Sequence, residues 1–185
     1  MAEYEAVTTR GSGWRAFWNR GGWWKALIVV VVYAVVYQFL PLLFAPLFAD
    51  VKGQGLLDSP GSVLAGFGFA VILGSAVLLA FSWTLGWLPR PLFTRQPVSR
   101  SWWMWIAPAL ALLPILLRLI GIDWGRYGAA VVAVTMISGL FVGLAEELLF
   151  RGLVVSLLRK AGHREWSVAA VSSLFFALMH STNIF

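Results

Sequence analysis

Four ionisable side chains lie inside long apolar stretches of this sequence: Glu146, Glu147, Arg151 and His180. Such a group in a membrane span costs roughly 3 kcal/mol, so by default it marks a functional site or has a buried partner. Glu147 and Arg151 stand four residues apart with the glutamate first, the orientation that favours an ion pair on a helix. We expect Arg151 to neutralise a buried Glu147 carboxylate. Glu146 lies about 100° further round the helix and must face water or another helix.

The next apolar segment carries a polar face of its own, because Ser172, Phe176 and His180 recur every fourth residue. The midpoint between Glu146 and His180 is residue 163, in the middle of a basic turn. Both side chains therefore lie about 13–15 helical residues, or roughly 20 Å, from the same membrane face. We expect the two to meet at matching depth, where a carboxylate and an imidazole could activate water and transfer protons.

The elements that must position these side chains are transmembrane helices. The 185 residues are 60% hydrophobic and 12% charged, with a mean hydropathy of +0.82, which excludes a water-soluble globule. We predict an all-α, polytopic transmembrane bundle of about five spans, near 26–48, 62–88, 102–120, 129–158 and 166–183. In the fourth span, Gly139 and Gly143 are expected to let a neighbouring backbone come close.

Charge and cysteine content limit the function further. The absence of cysteine excludes disulfides, thiolate catalysis and Cys-ligated metals. The net charge of +6 comes from short basic clusters between apolar segments, which indicate membrane topology and not a nucleic-acid surface. Ten basic residues fall on one side (Arg10, Arg15, Arg20, Lys25, Arg90, Arg95, Arg100, Arg159, Lys160 and Arg164) and three on the other (Lys52, Arg118 and Arg126). We predict a multi-pass protein of the cell (inner) membrane with a cytoplasmic N-terminus.

The chain divides into two parts. Residues 1–25 are predicted to be a basic, aromatic interfacial arm, in which Trp14, Phe17 and Trp18 share one helical face. Residues 26–185 form the transmembrane domain. Most other tryptophans lie near helix ends, as in an aromatic belt: Trp23, Trp24, Trp83, Trp87, Trp102, Trp103, Trp105 and Trp166.

Two short motifs stand on consecutive apolar segments. The first reads E-E-x-x-x-R over 146–151, and the second reads F-x-x-x-H over 176–180. In this order and spacing they resemble the CAAX protease and bacteriocin-processing family (CPBP, or Abi) of intramembrane endopeptidases. The resemblance covers roughly 127–185. It implies a peptidase that hydrolyses a peptide bond with a glutamate-activated water.

The resemblance also implies a role for each motif residue. Glu146 would activate the attacking water, and His180 would help to bind that water or stabilise the oxyanion, with Phe176 packing beside it. Glu147 and Arg151 would be the supporting ion pair. The partners would be the lipid bilayer and a peptide or protein substrate that reaches the site within the membrane, with no nucleic acid.

No metal or other cofactor is expected. The family resemblance favours a metal-free glutamate mechanism, and the chain's two histidines, one of them His163 in the basic turn, cannot by themselves build a three-ligand zinc site. Family members usually continue into further helices with a third motif, a second histidine followed by asparagine or aspartate. The resemblance thus implies either a sequence truncated after the second motif or a protein that lacks part of the site. Asn183 is no substitute for the third motif, because the missing group should come from another helix.

Other chemistries fit less well. There is no H-E-x-x-H zinc motif and no G-x-G-D aspartyl motif, and Ser138-Gly139 lacks the preceding glycine of a rhomboid-like serine site. The principal alternative is a non-catalytic membrane protein, such as an immunity factor, a scaffold or a small transporter. In that case the Glu/Arg/His cluster would be structural or would serve ion passage.

Overall fold

The computed structural model describes residues 13–90, 92 and 102–181, except for the side chains of residues 103, 104, 107, 108, 111, 115, 118, 119 and 124. Four residues named above (Arg10, Arg95, Arg100 and Asn183) and the side chains of Trp103 and Arg118 lie outside this description. Within it the protein is all-helical and contains no strand, which confirms the predicted fold class.

Six longer helices are described: α1 Gly13–Asn19, α2 Trp23–Val51, α3 Pro60–Thr84, α4 Ile106–Gly121, α5 Ala129–Lys160 and α6 Glu165–His180. Two short 3₁₀ helices, Trp102–Trp105 and Trp124–Arg126, flank α4. Each of the five apolar segments predicted from the sequence is thus helical. Three helices, α2, α3 and α5, are long and apolar enough to cross a membrane, with 29, 25 and 32 residues. Because α4 and α6 have 16 residues each, the count of five spans stays a prediction.

Three of these helices change their winding along their length. In α2 the α-helix gives way to 3₁₀ geometry over Leu40–Val51, where Pro41 and Pro46 lack the N–H groups that α-helical hydrogen bonds need. In α3 and α5 the winding widens to π geometry, over Leu64–Gly68 and Glu147–Val154. The π segment of α5 contains most of the E-E-x-x-x-R motif.

The core of the bundle surrounds the second half of α5. Leu149, Leu153 and Leu157 are fully buried there, and they belong to one apolar cluster with residues of α2, α3 and α6. The backbone N–H of Gly22 donates to the Leu157 carbonyl at 3.0 Å, which ties the start of α2 to α5. Since α5 is enclosed on several sides, it sets the position of the helices around it.

Helix α1 packs on the end of α3 as well as presenting aromatic groups outward. The rings of Trp18 and Phe81 meet edge to face at 5.0 Å, and the indole N–H of Trp87 donates to the Asn19 side-chain oxygen at 3.0 Å. Trp18 and Trp87 are therefore buried in protein. Exposed tryptophans such as Trp83 remain available for the predicted aromatic belt.

The close helix contacts fall on glycines other than the expected pair. A Cβ atom added at Gly139 or Gly143 would meet nothing within 4 Å, so the expectation of a close backbone at these two positions is wrong for the residues described. Tight approaches are found instead at Gly21, where an added Cβ would overlap the Leu157 carbonyl oxygen, and in α3. There a Cβ at Gly68 would lie 2.5 Å from the Ser138 hydroxyl oxygen, and one at Gly74 would lie 2.9 Å from the Tyr33 ring.

Candidate active site

The two motif helices form an antiparallel hairpin that brings Glu146 and His180 together. Glu146 ends the α-helical part of α5, and His180 is the last residue of α6. The His180 Nε2 atom lies 3.2 Å from the Glu146 Oε1 atom. The two side chains are 41% and 34% exposed, so they are partly shielded but can be reached from a neighbouring space. The depth matching expected from residue counting is found in the structure.

Two contacts fix the orientation of the His180 ring. Its Nδ1–H donates to the Phe176 carbonyl at 2.9 Å, and the ring stacks on the Phe176 ring at 4.3 Å between centroids. The Phe176 ring in turn meets Phe150 edge to face at 5.2 Å. The histidine is therefore held from its own helix and from α5, with Nε2 directed at Glu146.

The bond to Phe176 assigns the tautomer of the His180 ring. Because a carbonyl oxygen can only accept, this bond places a proton on Nδ1, and Nε2 is the ring nitrogen that faces Glu146. A carboxylate and an imidazole at this distance are groups that can receive and donate protons during a reaction.

Glu147 and Arg151 form the expected ion pair but face the other way. The Arg151 Nη1 group donates to Glu147 Oε1 across one helical turn. The Glu147 side chain is 58% exposed and that of Arg151 76%, so the expectation of a buried carboxylate is wrong. The physical reason is the turn of about 100° between successive helix positions, which carries Glu147 to the outside of the bundle when Glu146 faces inward.

The π segment begins directly after Glu146. Widened winding leaves backbone groups with altered partners, and single π turns occur often at functional sites. Here the Ser172 hydroxyl of α6 donates to the Phe150 carbonyl at 3.1 Å, and both residues are buried. This bond joins the two motif helices between the Glu146–His180 pair and the 161–164 turn. Ser172, singled out for its helical face, therefore has a positioning contact.

Glu146 and His180 lie in the wall of a cavity of about 660 Å³ between α2, α3, α5 and α6. Polar residues of α2 form part of the wall: Tyr33, Tyr37 and Gln38. Sequence reasoning missed these three, although polar groups at four- and five-residue spacing in an apolar helix were a usable signal. Their hydroxyl and amide groups give the cavity hydrogen-bond donors beyond the carboxylate and imidazole. The space is large enough for a small ligand or a peptide segment.

The hairpin that carries both motifs is also the part of the chain that compares with known proteins. Residues 128–185 match the family model of type II CAAX prenyl endopeptidases, Rce1-like. This match confirms the resemblance to the CPBP family that the two motifs indicated, over just under a third of the chain. It supports a peptidase at the level of the family and agrees with a membrane protein. No curated protein and no solved structure matches the chain.

The donor set of the Rce1-like segment does not fit a zinc site. A catalytic zinc takes three protein ligands, whereas this site offers one carboxylate and one imidazole. Among the described residues no group of three His, Cys, Asp or Glu side chains lies close enough to hold a metal. We therefore derive no chemical step through a metal ion.

Proposed function

We propose that this protein is an intramembrane endopeptidase in which Glu146 activates water for attack on a peptide bond. The observation that carries the proposal is the 3.2 Å contact between Glu146 and His180 in the cavity wall, within the segment that matches the Rce1-like family. A structural ion pair alone would not need a neighbouring space of 660 Å³. The space is needed for a substrate.

The chemistry needs one water, the Glu146 carboxylate as a base and an Nε2–H group on His180 as a donor. Glu146 accepts a proton from the water as the water oxygen bonds to the peptide carbonyl carbon. The Nε2–H group of His180 donates a hydrogen bond to the developing oxyanion, which a preorganised donor stabilises strongly in a water-poor site. Glu146 passes its proton to the amide nitrogen as the carbon–nitrogen bond breaks. The second water proton then moves from the new carboxyl group to the amine, so the products are a carboxylate and a protonated amine.

We also propose the arrangement in the membrane that this activity requires. Helices α4 and α6 would cross the bilayer with α2, α3 and α5, and residues 1–25 would lie at the interface, where α1 packs on the end of α3. At about 1.5 Å per residue, the 16 residues of α6 reach roughly 24 Å, most of the hydrocarbon thickness. The unequal distribution of Lys and Arg favours a cytoplasmic N-terminus and a cytoplasmic 161–164 turn. The protein would then lie in the inner membrane. Substrates would be peptides or proteins that enter from the bilayer.

The first prediction concerns Glu146→Gln. The glutamine amide can still donate to His180 Nε2, so the variant should fold and reach the membrane as the unaltered chain does. Without a carboxylate to take the proton of water, cleavage should fall by about 10²–10⁴-fold, the usual share of general acid–base catalysis. The assay is mass spectrometry of products from the full chain in liposomes, with farnesylated and unprenylated peptides that end in a CAAX sequence.

Glu165→Gln is the matched control. It removes the same charge from an exposed residue that pairs with Arg159 and does not line the cavity. Full activity in Glu146→Gln would overturn the proposal. Lack of cleavage of every peptide by the unaltered chain would favour the non-catalytic alternative.

A further inference from the structure

A second, smaller cavity of about 210 Å³ lies beside the last turns of α5, away from the Glu146–His180 pair. Two rows of side chains at four-residue spacing form one wall: Arg151, Val155 and Arg159, then Gly152, Ser156 and Lys160. Leu92 of the connection between α3 and α4 lines the opposite side. Leu92 packs close to Gly152, where an added Cβ would lie 3.1 Å from its Cδ2 atom, and three cations surround the space.

The cations keep hydrogen-bond donors that the described residues do not use. The Nε and Nη2 groups of Arg159 donate to the Glu165 carboxylate at 3.0 and 2.7 Å, and the Nη1 group of Arg151 donates to Glu147. Each arginine has five N–H donors, so at least half of them stay free for another acceptor. The Lys160 ammonium lies 5.0 Å from the centre of the Trp87 ring, a contact that leaves its N–H groups available as well. Three cations against two carboxylates leave the site one positive charge.

The position of the cavity along the membrane normal indicates which kind of anion could bind there. From Arg159 to Arg151 the helix descends eight residues, or about 12 Å, from the turn toward the bilayer centre. The polar headgroup layer is roughly 5–7 Å thick on each side of the hydrocarbon, so the upper end of the cavity lies among headgroups and the lower end among acyl chains. The volume of about 210 Å³ leaves room for a phosphate group with the start of its glycerol.

We propose that this cavity binds the phosphate group of an anionic phospholipid from the leaflet that holds the 161–164 turn. Arg159 and Lys160 contact the phosphate, because a guanidinium binds phosphate oxygens in pairs and an ammonium adds a point charge. Ser156 lies at the level of the glycerol esters. Leu92 and Val155 contact the start of an acyl chain. One negative headgroup neutralises the remaining positive charge.

The test is native mass spectrometry of the detergent-purified full chain with phosphatidylglycerol, phosphatidylcholine or inorganic phosphate. We expect retained phosphatidylglycerol in preference to phosphatidylcholine, and about fivefold weaker binding in Lys160→Gln, the effect of one lost basic contact with an anionic lipid. Arg164→Gln removes one charge from an exposed residue of the same turn that does not line the cavity, and it should bind as the unaltered chain does.

A second variant separates the cavity from its charge. Ser156→Leu fills the space without altering any charge and should abolish the preference for phosphatidylglycerol, whereas Ser156→Ala should keep it. Equal losses in Lys160→Gln and Arg164→Gln would overturn the proposal, because binding would then be diffuse surface attraction. Normal lipid binding by Ser156→Leu would overturn it as well. So would displacement of the lipid by millimolar inorganic phosphate, since the site would then take the free ion.

Discussion

At the scale of residues, two adjacent glutamates of identical chemistry have opposite surroundings. Glu146 lies 3.2 Å from His180 beside the large cavity, whereas Glu147 pairs with Arg151 on the outside of the bundle. The difference comes only from the turn of the helix between them. The first carboxylate is placed for proton transfer, and the second has its charge cancelled by a neighbour on its own helix.

The outer pair should act as a unit. Nine residues separate Arg151 from Lys160, or about 14 Å along the helix, which places the pair below the headgroup layer. Arg151→Met would leave an uncompensated carboxylate at that depth and should lower membrane abundance and thermal stability. The double variant Glu147→Gln/Arg151→Met removes both charges and should recover most of the loss. Thermal unfolding of the single and double variants measures the coupling, and a double variant no better than Arg151→Met would contradict it.

At the scale of elements, the site depends on how four helices meet around a cavity. The hairpin of α5 and α6 supplies the reactive pair, and the Ser172 bond to the Phe150 carbonyl holds its two helices together. Helix α2 closes the cavity with Tyr33, whose ring lies against Gly74 of α3. A glycine in the interior of α3 costs about 1 kcal/mol relative to alanine, and here it makes room for that ring.

A pair of Gly→Ala substitutions tests this contact. In Gly74→Ala the new methyl would lie 2.9 Å from the Tyr33 ring, which must move toward the cavity, so activity should fall and the gain in helix propensity should be lost. In Gly143→Ala the methyl meets nothing within 4 Å, and thermal stability should rise by up to about 1 kcal/mol. Thermal unfolding and cleavage assays of both variants distinguish the two positions. Equal behaviour would show that Tyr33 does not depend on Gly74.

At the scale of the whole molecule, the bundle is built around α5, and α1 is joined to it. Helix α1 packs on α3 through Trp18, and the start of α2 is bonded to α5 through Gly22. The basic turn after α5, the 210 Å³ cavity and α1 thus lie at one end of the molecule. A membrane leaflet with negative charge would attract that end, in agreement with the orientation proposed above.

The absence of cysteine from the sequence makes this orientation easy to measure. Single cysteines placed at His163, in the turn between α5 and α6, and at Gln54, in the turn between α2 and α3, need no background substitutions. A membrane-impermeant maleimide should label Gln54→Cys in intact cells and His163→Cys only after the membrane is opened. Labelling of both variants in intact cells would contradict a cytoplasmic position of the turn between α5 and α6.

The sequence by itself determined the five helical segments, the i,i+4 pairing of Glu147 with Arg151 and the meeting of Glu146 with His180. These follow from periodicity, from the length of apolar runs and from counting residues on each side of a turn, all of which are local or one-dimensional. The family match over 128–185 covers both motifs.

Apart from the faces that carry Glu146 and His180, the tertiary structure alone decided which side of each helix points inward. It placed Glu147 outside, gave the close contacts to Gly68 and Gly74, and brought Tyr37 and Gln38 to the cavity. Sequence could not predict this, because lipid is as apolar as a protein core, and buried and lipid-facing positions of a spanning helix carry the same residue types. The π winding of α5 likewise depends on packing against other helices, since no residue type specifies it.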